Sequence, residues 1–229
     1  MPDFSKFQTR IGFHFKDQRF LETAFTHRSY LNENRDAHRE HNERLEFLGD
    51  AVLELVVTEF LFAKYPDKPE GDLTAYRAAL VNTQSICDAG TKLGMNDFLL
   101  LSRGEAKDTG RARQIILANA FEALIGALYL DQGYAAAKDF ISKQLFHKTD
   151  DVVARRLWQD AKSRFQELSQ EKSGVTPNYQ VMSQSGPDHD KTFVVGAFIA
   201  NEKIATGEGR SKQEAEQAAA EKALAAKGW

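Results

Sequence analysis

The sequence predicts a mainly α protein: an all-helical domain over residues 1–149, a linker over 150–158, and a small α+β domain of order α-β-β-β-α over 159–228. Three observations carry that division. Apolar residues recur at helical spacing through the first 147 or so positions, with no strand signal of weight. The pattern then breaks at HKTDDVVARRLWQDAK, where few apolar residues recur at any regular period. Beyond it come a helical run, three β-rich runs and a second helical run.

Taken in order, KDQRFLETAFTHRSY reads as one amphipathic helix with Phe20, Leu21, Ala24 and Phe25 inward. HNERLEFLGDAVLELVV continues through TEFLFAKYPDK to a loop bounded by Pro66 and Pro69. GDLTAYRAALVNTQSICDAGTKLG reads as two helices broken near Asn82, and LSRGEAKDTGR as a polar loop. ARQIILANAFEALIGALYLDQG is a strong helix stopped by Gly133, and YAAAKDFISKQLF closes the domain. In the second part AKSRFQELSQEKSG is a helix ending at Gly174. NYQVMSQSG, KTFVVGAFIA and EKIATGEG are three antiparallel strands, turned at Gly186-Pro187 and Asn201-Glu202. SKQEAEQAAAEKALAAKG opens on a capping box, and its small Ala face lets a helix lie close on a sheet.

Composition excludes some classes. At 42% hydrophobic and 28% charged, the chain suits a soluble globular protein with a real core. A lone cysteine, Cys87, rules out an internal disulfide framework and fits a reducing compartment; without a nearby His it reads as core. MPDFSKFQTR lacks the apolar core of a signal peptide. IILANAFEALIGALYL is short for a membrane span and carries Glu122 in its middle. A cytosolic protein with no membrane contact is expected. The net charge of −3 argues mildly against a nucleic-acid partner, although local charge matters more than the sum.

The helix over HNERLEFLGDAVLELVV poses a problem. Its apolar residues surround the axis, the pattern of a buried helix. Yet Glu43, Glu46 and Asp50 fall on one face, being three, four and seven apart. Carboxylates so placed repel one another and lose hydration, and something positive must answer them. Acidic stripes are commonly solvated faces or are paired with arginine. Two features favour a cation instead. A second apolar helix carries Asn119 and Glu122 three apart, and all these groups are oxygen donors with no His or Cys cluster. That set suits Mg²⁺, with Mn²⁺ as substitute, and calls for no organic cofactor. Paired ions about 4 Å apart serve in-line phosphoryl displacement, so the chemistry points to phosphodiester hydrolysis. Glu54, one turn beyond the stripe, is read as structural.

These residues bear a resemblance. HNERLEFLGDAVL is similar to the signature motif of ribonuclease III, and THRSY, PEGDLT, LVN, RGE at Arg103 to Glu105 and ILANAFEALIGALYLD resemble that family in its order. FQELSQ, NYQV, GPDHDKTFVV and GEGRSKQEAEQAAAEKAL resemble a double-stranded-RNA-binding domain. The resemblance covers almost the whole chain and is strongest to bacterial enzymes of the short two-domain type. It implies a homodimer with a valley along the interface. Each strand of an RNA duplex would be cut to leave 5′-phosphate and 3′-hydroxyl ends with short 3′ overhangs, in rRNA and mRNA precursor processing. It implies metal ligands at Glu46, Asp50, Asn119 and Glu122, catalytic roles for Asp50, Glu122 and Glu43, and a valley position for Glu70. Asn119 departs from the pattern, which has Asp there. An amide oxygen still ligates a hard cation but adds no charge. Weaker metal binding, a Mn²⁺ preference, or a dimer that grips duplex RNA without cutting would follow.

For the second domain the resemblance implies RNA contacts at Gln166 and Glu167, at Pro187 and His189, and at Arg210, Ser211 and Lys212. A helix N-terminus favours phosphate there, though Lys212 also suits a solvated helix start and His189 an ordinary loop. Arg77 either holds a phosphate or sits in a salt bridge. His27 is read as structural near a helix end, and Trp158 as packing at the linker.

Overall fold

The computed structural model describes residues 2–34, 39–154, 160–187 and 191–229. It falls into two compact units, residues 1–158 and 159–229. The first is all helical: α1 (Phe4–Ile11), α2 (Gln18–Ala24), α3 (Arg28–Glu33), α4 (Glu43–Lys64), α5 (Glu70–Val81), α6 (Thr83–Lys92), α7 (Arg111–Gln132), α8 (Tyr134–Leu145) and α9 (Thr149–Ala154). The second runs α10 (Ala161–Ser173), β1 (Asn178–Ser185), β2 (Thr192–Ile199), β3 (Glu202–Gly209) and α11 (Lys212–Lys227). The mainly α class and the α-β-β-β-α order are therefore as the sequence predicts.

Three details differ from expectation. The first expected helix is two. Phe25 to His27 leave the helical path because Thr26 bridges Leu100 and the His27 amide donates to the Leu100 carbonyl. His27 then caps α3, its Nδ1 accepting from the Ser29 amide. Secondly, the expected linker begins too early. Thr149–Ala154 is helical, with Thr149 fully buried and Val152 and Val153 packed on the first unit's core. Asp150 pairs with Lys64 at 2.5 Å, which ties α9 to the end of α4. Residues 155–158, Trp158 among them, lie outside the described residues. Thirdly, the β2–β3 turn sits one residue earlier, at Ala200-Asn201, with Ala200 in the left-handed region at φ 53°.

The core of the first unit forms around the crossing of α4 and α7. Leu45, Val52, Leu53, Val56, Val57 and Leu61 of α4 are buried there, as are eleven residues of α7. At 22 residues α7 is longer than its apolar run and apolar enough to cross a membrane. Its surface is spent instead on the core. The helices approach so closely because each presents a glycine to the other's backbone. A methyl group on Gly49 would overlap the Glu122 carbonyl, and one on Gly126 would overlap that of Leu45. Asn42, buried at the entry to α4, donates from Nδ2 to the Ala24 carbonyl at 3.2 Å and so fixes where the helix begins.

In the second unit the antiparallel sheet has order β1-β2-β3. Helices α10 and α11 cover it, packing Phe165, Ala219, Ala220, Ala223 and Leu224 against Ala197 of β2. The Ala face of α11 is buried as its spacing predicts. Ser211 caps that helix, accepting from the Glu214 amide at 3.1 Å. The Glu214 carboxylate accepts from the Arg210 amide at 3.0 Å.

The backbone contact at the crossing leaves no room to adjust. Gly126→Ala is expected to destabilise the protein by about 3 kcal/mol or more, because overpacking there must move a whole helix. A thermal melt reads this, and an unchanged melting temperature would contradict the crossing.

Candidate functional site

The crossing sets two polar stripes against each other. Glu46 and Asp50 come from α4, Asn119 and Glu122 from α7. Glu46 is partly buried and lies beside the Asn119 side chain. Asp50 is exposed, and Glu122 is partly buried. Loss of hydration, then the charges of Asp50, Glu46 and Glu54, push the Glu122 carboxyl up to about 7. Glu46 is also raised, first by burial and then by Glu43, against the lowering effect of Asn119. The four expected metal-ligating residues therefore share one electrostatic neighbourhood.

No described Lys, Arg or His lies within ion-pair distance of Glu46, Asp50 or Glu122. Nor do three described His, Cys, Asp or Glu side chains form a ready cation cage. Unneutralised carboxylates, one of them strongly desolvated, beside an amide oxygen make a donor set that suits a hard divalent cation. Such ions keep several waters and take phosphate oxygens as further ligands.

The flanking residues divide. Glu43 is answered by Arg28 at 3.4 Å and His41 at 3.7 Å, and its charge acts on Glu46 rather than on Glu122. Glu70 opens α5 and accepts from Thr74 Oγ1 at 2.8 Å. The two readings of Arg77 resolve toward a salt bridge in the RNA-free chain: its Nε lies 2.7 Å from Glu54 Oε2, and its Nη1 donates to Thr58 Oγ1 at 3.0 Å. Glu54, expected to be structural, continues the 46–50 spacing by one more turn and is held in that pair.

Exposure on α4 also departs from expectation. Phe47, Leu55 and Phe62 are 82%, 53% and 74% exposed, so the helix is not buried all round. At 100° per residue these three fall on one side of the axis, next to the acidic stripe and away from α7. In the second unit Gln166 and Glu167 are exposed on α10 and line a shallow cleft with Gln170, Glu171 and Thr176. Arg210, Ser211 and Lys212 are exposed at the start of α11, and Pro187 follows β1. His189 lies outside the described residues. Cys87 is buried in the core, as expected.

Comparison with known proteins agrees across both units. Residues 17–149 match the Ribonuclease-III-like family and residues 161–227 the double-stranded RNA binding motif. The chain is 46% identical over 225 residues to Ribonuclease 3 of Bacillus velezensis, covering 98% of this chain and 90% of that protein. It is 44% identical over 217 residues to Ribonuclease 3 of Protochlamydia amoebophila, covering 95% and 89%. Among solved structures, the nuclease domain of the Campylobacter jejuni ribonuclease III is similar. It has a TM-score of 0.56 and 41% identity over 62% of this chain and 98% of that one, and its description concerns flexibility in a region involved in dimer formation.

The raised Glu122 carboxyl has a pH signature. Between pH 4.5 and about 7 the folded, cation-free chain keeps a proton that the unfolded chain has released. Stability from this group therefore falls as pH rises through that window, and the loss is complete above it. In chelator, Glu122→Gln is expected to stabilise the protein at pH 8 by on the order of 1–3 kcal/mol, with little effect at pH 5. Equal melting shifts at both pH values would show that the carboxylate carries no such cost.

Proposed function

The chain belongs to the ribonuclease III family of endoribonucleases, and from that membership we propose that it hydrolyses phosphodiesters of double-stranded RNA with divalent cations held between α4 and α7. The observation that carries this is the convergence of Glu46, Asp50 and Glu122, one strongly desolvated and none paired with a described cationic side chain. Mg²⁺ is the proposed ion, with Mn²⁺ as substitute, because every candidate ligand is an oxygen. When bound, such an ion supplies a water of lowered pKa and offsets charge on the leaving oxygen.

The chain's own residues do the positioning. Glu46, Asp50 and Glu122 offer carboxylate oxygens and Asn119 an amide oxygen, on helices whose separation the glycine contact fixes. Burial makes Glu122 the group with most to gain from a positive charge. No side-chain nucleophile is required. Glu43, paired with Arg28 and near His41, stands beside Glu46. In the second unit, exposed Gln166 and Glu167 suit a minor groove read by shape, and Arg210 to Lys212 at a helix N-terminus suit phosphate. The products are 5′-phosphate and 3′-hydroxyl ends with short 3′ overhangs, from rRNA and mRNA precursors.

The working form is a homodimer. Three large apolar side chains exposed on one face of α4 support it, since such surface on a soluble chain marks a contact site. The face adjoins the acidic stripe, so two centres would flank the interface, with Glu70 toward the valley.

A cleavage gel on duplex RNA tests the proposal. Cutting is expected in Mg²⁺ or Mn²⁺ and none in chelator. Asp50→Asn should lower the rate by roughly a hundredfold or more while duplex retention at fixed moderate salt persists. Asn119→Asp should reduce the ion concentration needed. If the unaltered chain cuts with neither ion and Asn119→Asp restores cutting, the protein is instead a duplex-RNA-binding dimer that grips without cutting. Failure to retain duplex at all would leave only a helical scaffold with a solvated acidic stripe.

A further inference from the structure

Glu54 has no part in the proposed ligand set, yet it lies on the same α4 face as Glu46 and Asp50, one turn beyond Asp50. Its charge reaches Glu122 across the crossing. It does not stand alone, because Arg77 of α5 holds it at 2.7 Å while also donating to Thr58. Both partners keep about a third of their side-chain surface in water, 33% for Arg77 and 38% for Glu54. Arg77 further lines a cleft with Thr58, Phe62, Lys68, Thr74 and Glu70, the last being the residue proposed above to face the valley.

We propose that Glu54 and an RNA phosphate compete for Arg77, so that the guanidinium masks Glu54 in the free protein and unmasks it when duplex RNA is engaged. This rests on the duplex-RNA reading above and adds to it. A half-exposed ion pair holds weakly in water. A phosphate offers the same guanidinium two acceptor oxygens and a stronger charge-assisted bond. Once released, the Glu54 carboxylate adds negative charge beside the centre at the moment the substrate arrives. That charge matters more in this chain because Asn119 contributes none where the family pattern has Asp. Cation hold and RNA hold are thereby linked through one arginine.

The test uses the full-length protein with two readouts. The first is Mn²⁺ titration without RNA, followed by electron paramagnetic resonance at fixed moderate ionic strength. Arg77→Met is expected to tighten Mn²⁺ binding about three- to tenfold and Glu54→Gln to weaken it by a similar factor. Arg77→Lys should stay near the unaltered protein. The second is duplex RNA retention in chelator. Arg77→Met should weaken it, and by a larger factor in a Glu54→Gln background, where no carboxylate competes for the guanidinium. A pair that is only a structural brace predicts neither the tightened Mn²⁺ binding nor the larger loss. Unchanged Mn²⁺ affinity in Arg77→Met, or equal RNA losses in the two backgrounds, overturns the proposal. If Arg77→Met melts too early to titrate, Glu54→Gln carries the cation test with opposite sign. Failure of the unaltered protein to bind Mn²⁺ at all would instead sink the cation centre and this inference with it.

Discussion

The contact between Gly49 and Gly126 governs the first domain. Both helices that carry the acidic groups are otherwise ordinary core helices, rich in Leu, Val, Ile and Ala. Helix axes usually stand 8–10 Å apart, held off by side chains. Here each helix offers bare backbone to the other, and no side chain intervenes at the crossing. Carboxylates within a turn or so of these glycines are thereby brought into each other's field. Glu122 illustrates the outcome, since the backbone carbonyl that Gly49 approaches belongs to the same residue whose side chain bears the repulsion.

That arrangement trades stability for readiness. The folded chain without a cation carries repulsion among Glu46, Asp50 and Glu122, and packing elsewhere must offset it. Buried side chains of α1, α2, α6, α7 and α8 supply the offset through one continuous core. A bound cation would relieve the repulsion, so cation affinity and strain are two faces of one quantity. The acidic stripe also lies on the border between the buried side of α4 and its exposed apolar side. A partner on the apolar side would bring a second surface near the centre without covering it.

Most of the fold was legible in the residues because it follows from local rules. The 3.6 period marked α4 and α7, Asn82 marked the break between α5 and α6, and glycines at 133 and 174 marked helix ends. What escaped came from distant contacts. Nothing local in FLETAFTHRSY reveals that Leu100 pulls Thr26 and His27 out of the helix. Residues 149–154 look polar, and only the pairing of Asp150 with Lys64 and the burial of Thr149 fix them as a helix on the first unit. In the site, spacing brought Glu46, Asp50, Asn119 and Glu122 together on paper, and the helices bring them together in space. It could not reveal that Glu43 meets Arg28, or that Glu54 meets Arg77, because both depend on how neighbouring helices pack against α4.

The central claim is that oxygens from both helices hold the same ion. Crystals of the full-length protein soaked in millimolar Mn²⁺ and measured at the manganese edge address it directly. An anomalous peak is predicted between α4 and α7, within about 2–2.5 Å of oxygens from Glu46 or Asp50 and also of Glu122 or Asn119, directly or through one water. A peak touching only one helix, or none between them at saturating ion, would contradict it.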